Sequence, residues 1–104
     1  MNSMNPGLSD GGGEDETSRF QASPDTVYNT IGDQSVLVHM RTNKIYELNR
    51  TGARFWELLC AGHELGEIRQ LMLREFDVAE SDLSREIGAL LKALENEGLL
   101  VRIS

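Results

Sequence analysis

At 104 residues, with seventeen Asp and Glu against ten Lys and Arg, the chain has room for one small domain with a modest core, and its net charge of −7 is the wrong sign for a nucleic-acid partner. Such a core suits a binding module and leaves little room for a deep enzyme pocket. The single cysteine, Cys60, excludes an intrachain disulfide and a cysteine-rich metal site; with neither a membrane-length apolar run nor a secretion signal, a cytoplasmic address without a membrane partner is expected.

Residues 1–25 read as a disordered acidic tail. They hold Gly7, the triplet Gly11-Gly12-Gly13, Pro6, Pro24 and the run Glu14-Asp15-Glu16, with few large apolar groups to offset the entropy of ordering. Five acids against one arginine put −4 of the −7 there, so the domain expected over residues 26–104 is only mildly acidic.

Val27 to Ile31 reads as a first strand, Gly32-Asp33-Gln34 as a turn, and Ser35 to Met40 as a second strand. Arg41-Thr42-Asn43 turns into a third strand, Lys44 to Leu48, which completes an antiparallel meander. That strand passes directly into a helix: Asn49 is placed to cap it, and Phe55, Trp56 and Leu59 recur at helical spacing up to Gly62. A second helix, about Leu65 to Phe76, carries Leu65, Ile68, Leu71, Met72 and Phe76 on one face. Ser81 is the expected cap of a third, with Leu83, Ile87, Leu90, Leu91 and Leu94 as its stripe and Gly98 as its end, before an extended Leu99 to Ile103. Three small strands followed by three helices on one core predict an α+β fold of the winged helix-turn-helix kind.

A strand that ends so abruptly leaves a backbone edge free, and a free edge accepts a peptide as an added strand without any catalytic residue. Three motifs carry a more specific signal: Ile45-Tyr46-x-Leu48-Asn49-x-Thr51-Gly52-Ala53-x-Phe55-Trp56-x-Leu58-Leu59, then Glu67-Ile68, then Leu91-x-x-Leu94-x-x-x-Gly98-Leu99-Leu100. In this order and spacing, from about Val27 to Val101, they resemble the PqqD-like peptide-recognition domains, the leader-binding elements of ribosomal peptide natural-product pathways. Within that family the first string, Trp56 and the small size look most like the stand-alone protein of lasso-peptide pathways. The founding branch, which assists a radical enzyme in making pyrroloquinoline quinone, is the alternative.

The resemblance implies a non-catalytic adaptor with no cofactor. Its partners would be the leader of a precursor peptide, the leader protease and the cyclase. The leader would add along Lys44, Ile45, Tyr46, Glu47 and Leu48 and lie against the third helix, where Asp82, Glu86, Ala89, Leu90 and Ala93 form one flank of the apolar stripe. The opposite flank, Ser84, Gly88 and Glu95, has a similar claim on size alone, and the family match at position 86 favours the first. Glu86 itself departs from the family pattern, which often has Asp there.

The same residues have plainer readings. Tyr46, Leu48, Phe55, Trp56 and Leu59 are expected in the core, because a domain this small needs its large side chains inside. Lys44, Ile45 and Glu47 also fit a solvated margin. His39 and His63 lack partners at metal-binding spacing, and Cys60 shows no base to activate it, so neither a zinc site nor a nucleophile is expected. A DNA-reading winged helix would need a basic third helix, yet Ser81 to Glu97 carries Asp82, Glu86, Glu95 and Glu97 against Arg85 and Lys92.

Overall fold

The computed structural model describes residues 16–103. In chain order its elements are β1 (Phe20–Ala22), β2 (Thr26–Ile31), β3 (Gln34–His39), β4 (Lys44–Leu48), α1 (Arg50–Cys60), α2 (Leu65–Glu75), α3 (Glu80–Asn96) and β5 (Leu100–Arg102). The fold is mixed α+β with antiparallel pairing. Its strands form two sheets, the meander β2-β3-β4 and the pair β1-β5.

The second sheet corrects the sequence expectation. Residues 16–25, assigned above to the tail, carry structure: Phe20 is buried in the core, and β1 pairs with β5 from Phe20↔Arg102 to Ala22↔Leu100. The Leu65 and Gly66 N–H groups donate to the Ser18 and Glu16 carbonyls, so this stretch also meets the open N-terminus of α2. One aromatic side chain and a borrowed partner strand supply the burial that composition alone withheld. The expectation of a disordered tail otherwise falls on residues 1–15, outside the described residues.

Local signals explain most of the remaining boundaries. Asn49 caps α1, its side chain accepting the Gly52 N–H at 2.7 Å. At α2 Glu64 and Glu67 form a capping box in which the Glu67 carboxylate accepts the Glu64 N–H at 3.0 Å, holding that carboxyl below its usual range. The third helix begins one residue before the expected Ser81 cap. Ala79 stands at its N-cap, and Glu80 and Asp82 place negative charge in its first turn. It ends at Asn96 with Glu97 as its cap, and at Gly98, the next residue, φ is +73° and an added Cβ would lie 3.3 Å from Nε2 of buried His39, so glycine meets both a backbone and a space requirement.

The core draws Leu37 and Leu48 from the sheet, Phe55, Trp56 and Leu59 from α1, Ile68 and Met72 from α2, and Leu83, Ile87, Leu91 and Leu94 from α3. Tyr46 and Leu90 are partly buried against it. These contacts hold β4, α1 and α3 in fixed relation, which places the candidate site. No helix among the described residues is long and apolar enough to cross a membrane.

Candidate functional site: the β4 edge and the groove beside it

In an antiparallel ladder a residue turns its N–H and C=O to the same side, and the side alternates along the strand. Just past β3, Met40 donates to the Asp25 carbonyl at 2.8 Å, on the β2 side, whereas the carbonyl of His39, the last residue of β3, accepts the Asn43 N–H at 2.8 Å, on the β4 side. The odd-numbered residues of β3 therefore bond to β4, and their partners are Lys44, Tyr46 and Leu48. Ile45 and Glu47 are left with backbone groups pointing away from β3, and no described strand pairs on that side. Their side chains are exposed, Ile45 at 66%, while Leu48 is buried and Tyr46 half-buried.

A groove of about 1170 Å³ opens beside this edge. Tyr46, Glu47 and Leu48 line it from β4, and Glu86, Ala89, Leu90 and Ala93 from α3. The structure thus brings together seven of the ten residues singled out in the sequence. Ser84, Gly88 and Glu95 are not among its lining residues, because Ile87, Leu91 and Leu94 dock into the core and set which flank turns to β4. The other three sit apart. Lys44 and Ile45 line a smaller cavity of about 220 Å³ with His39, Glu97 and Leu99, and the Lys44 ammonium pairs with Glu97 at 3.5 Å. Tyr46 borders both cavities, so the two are neighbours along β4. Asp82 lines neither, and its carboxylate accepts from Arg85 at 3.2 Å.

Sequence reasoning missed the contribution of the helix ends. Asn49, Arg50, Gly52, Ala53, Arg54 and Glu57 reach the groove from the α1 cap and helix, Glu75 and Phe76 from the end of α2, Asp33 from the β2–β3 turn, and Gln34 and Ser35 from the start of β3. Gly52 is the signal that could have revealed α1. Glycine inside a helix costs about 1 kcal/mol relative to alanine, so its presence points to a packing demand. Here a Cβ would lie 3.2 Å from Asn49 Oδ1, 3.3 Å from Leu48 Cδ2 and 3.5 Å from Leu90 Cδ2, so the small residue lets β4, α1 and α3 converge.

The charges around the groove divide into paired and unpaired. Arg54 donates from Nε and Nη2 to the two carboxylate oxygens of Glu75, each at 2.8 Å, and from Nη1 to Glu57 at 3.1 Å. The bidentate contact holds the Glu75 carboxyl below its usual range and raises the guanidinium further above its own. The Arg50 guanidinium lies over the Phe76 ring, 5.4 Å from its centroid. Asp33, Glu47 and Glu86 are exposed and enter none of these pairs.

None of these groups forms a nucleophile–base pair within the groove, and no group of three or more His, Cys, Asp or Glu side chains among the described residues could hold a metal ion. Desolvation of its sulfur pushes the Cys60 thiol up, although the residue as a whole is exposed, which is the opposite shift from that of an activated nucleophile. What the arrangement offers is recognition: a bare strand edge beside small and apolar side chains.

Comparison with known proteins identifies the family. Residues 34–100 match the family described as coenzyme PQQ synthesis protein D (PqqD). The fold is similar to that of TbiB1 in complex with the TbiA(beta) leader peptide, at 32% sequence identity and a TM-score of 0.70, covering 77% of this chain and 93% of that one. It is likewise similar to a lasso peptide synthetase B1 complexed with the leader peptide, at 26% identity and a TM-score of 0.74, covering 80% and 98%. No curated protein gives a significant match.

Proposed function

The chain belongs to the PqqD family, and from that premise we propose that it is a non-catalytic adaptor that binds the leader of a ribosomally made precursor peptide by strand addition at β4. The observation that carries this reading is the unpaired backbone of Ile45 and Glu47 beside a groove lined by α3, in a chain similar to two proteins solved with leader peptides. In this reading Lys44, Ile45, Tyr46, Glu47 and Leu48 supply the edge, while Glu86, Ala89, Leu90 and Ala93 supply the facing wall, with Asp82 at its far end. The meander and helices then serve as a winged helix-turn-helix scaffold. The adaptor works in the cytoplasm and presents the leader to the protease and cyclase of a lasso-peptide pathway.

Energetics assign the edge and the groove different tasks. A hydrogen bond contributes about 0.5–1.5 kcal/mol net, so three or four fix register without overcoming the cost of ordering a flexible leader. Apolar anchors contribute more, about 1.5–3 kcal/mol for each large side chain buried. The groove provides room for them between Tyr46 and Leu48 on one side and Ala89, Leu90 and Ala93 on the other. The small alanines allow an extended chain to approach α3 closely.

Calorimetry with a synthetic leader peptide of its pathway should show one-to-one binding with a dissociation constant on the order of 0.01–1 μM. Mass spectrometry should recover the peptide unaltered. Cleavage or modification by the protein alone would overturn the adaptor reading. Tighter binding to duplex DNA would replace it with a winged-helix regulator.

A further inference from the structure

We propose that the groove selects a basic leader segment, an extended peptide whose Lys or Arg side chains lie against Glu47 and Glu86. This inference rests on the leader-binding reading and adds the chemistry of the occupant. Seven side chains that are charged at neutral pH line the groove, five of them acidic: Asp33, Glu47, Glu57, Glu75 and Glu86, against Arg50 and Arg54. Arg54 is already committed to Glu57 and Glu75, and those three groups answer one another inside the protein. Arg50 is stacked on Phe76. Its charge persists over that ring, yet five acids against two arginines leave the groove net negative, with Asp33, Glu47 and Glu86 as the carboxylates outside the Arg54 cluster.

Position within the fold makes two of these carboxylates specific. Glu47 is one of the two β4 residues whose backbone faces the free edge, so an added strand places a side chain directly beside its carboxylate. Opposite charges at such a cross-strand position attract and like charges repel. Glu86 stands on the facing wall, on the flank of α3 that also carries Ala89 and Ala93. A neutral strand laid between them would strip water from both carboxylates and return nothing, and an acidic one would add repulsion. A cationic strand restores the lost solvation with charge-assisted hydrogen bonds, and the overall charge of −7 speeds its arrival. The same reasoning argues against the chain's own N-terminal segment as the occupant, since residues 1–15 contain Asp10, Glu14 and Asp15 and no Lys or Arg.

The test is selection of a phage-displayed random dodecapeptide library on the immobilised full chain, repeated on the double variant Glu47→Gln/Glu86→Gln. Circular dichroism serves to establish that the variant is folded. The wild type should enrich peptides with more Lys and Arg than Asp and Glu, and the double variant should lose that bias while still enriching apolar ones. A selected basic peptide should bind the wild type about fivefold more weakly when salt is raised from about 50 to 300 mM, and the double variant less than about twofold more weakly. Wild-type binders without a basic bias, or a bias that survives in the double variant, would overturn the inference while leaving leader binding intact. A library that yields no binder at all would overturn the leader-binding reading and this inference with it.

Discussion

Among the described residues the β2–β3–β4 sheet has two free edges, and they differ in what lies beside them. On β2 the alternation of the ladder turns the backbone of Tyr28 and Thr30 outwards, just as it does for Ile45 and Glu47 on β4. Both strands end their sheet. Yet the groove is lined from β4, the three helices, the β2–β3 turn and the first two residues of β3, and no residue of β2 itself contributes to it. An open backbone edge is thus common to both sides of the sheet, and only one side joins it to a wall of small and apolar side chains. Since the hydrogen bonds of an added strand are individually weak, the proposed strand addition makes the wall, not the backbone, the feature that distinguishes the two edges.

The coarsest way to break this contrast is to remove the support that both edges share. Trp56 is buried in the core, and Trp56→Ala should cost about 3–5 kcal/mol of stability in urea unfolding. A stable Trp56→Ala variant that fails only in leader binding would move Trp56 from core to site. A sharper test replaces one outward-facing residue on each edge. Proline removes an N–H that no β3 carbonyl uses, so Ile45→Pro and Thr30→Pro should both keep the fold. By calorimetry Ile45→Pro should weaken leader binding at least about tenfold, equivalent to about 1.4 kcal/mol, and Thr30→Pro less than about twofold. Equal losses would mean that the wall does not distinguish the edges.

Filling the groove should have a smaller effect than blocking the edge. Ala93→Leu, on the α3 wall, should weaken the leader about three- to tenfold while stability stays within about 0.5 kcal/mol, because the added side chain occupies open space. An unchanged affinity would place the leader elsewhere along β4. The smallest effect belongs to the Arg54–Glu75 contact at the margin of the groove. The folded-state pKa of Glu75 is depressed, so its contribution is present above the ordinary glutamate value of about 4.3 and is lost as pH falls through the lower folded value. Glu75→Gln should accordingly melt slightly below the wild type at neutral pH and together with it in strong acid. A difference that persists in acid would rule out the ion pair as its source.

What could be read from sequence follows from how far each signal reaches. The β4–α1 junction is legible because its causes are local: alternation over Lys44 to Leu48, then an asparagine three residues before the N–H that it caps. β1 is not legible. Its three residues, Phe20-Gln21-Ala22, show no period of their own and acquire a strand only by pairing with Leu100–Arg102 at the other end of the chain. The α3 flank is intermediate: helical spacing groups Glu86, Ala89 and Ala93, but only the docking of Ile87, Leu91 and Leu94 decides that this group faces β4. The share of α1 in the groove depends on three elements meeting at Gly52, a contact that periodicity cannot express.

The pairing of β1 with β5 also fixes how the domain can be tethered. Phe20 sits opposite Arg102, and neither strand lines the large groove. Residues 16–19 stay beside this pair, the Arg19 carbonyl accepting the Ile103 N–H at 2.9 Å and Ser18 Oγ accepting from Arg102 at 3.2 Å, so linkers attached before residue 16 and after residue 102 leave from neighbouring points of the molecule. An enzyme joined to either end would hang from nearly the same anchor point and meet the groove at nearly the same effective concentration for a given linker length. Order along the gene, recognition domain first or enzyme first, becomes geometrically interchangeable.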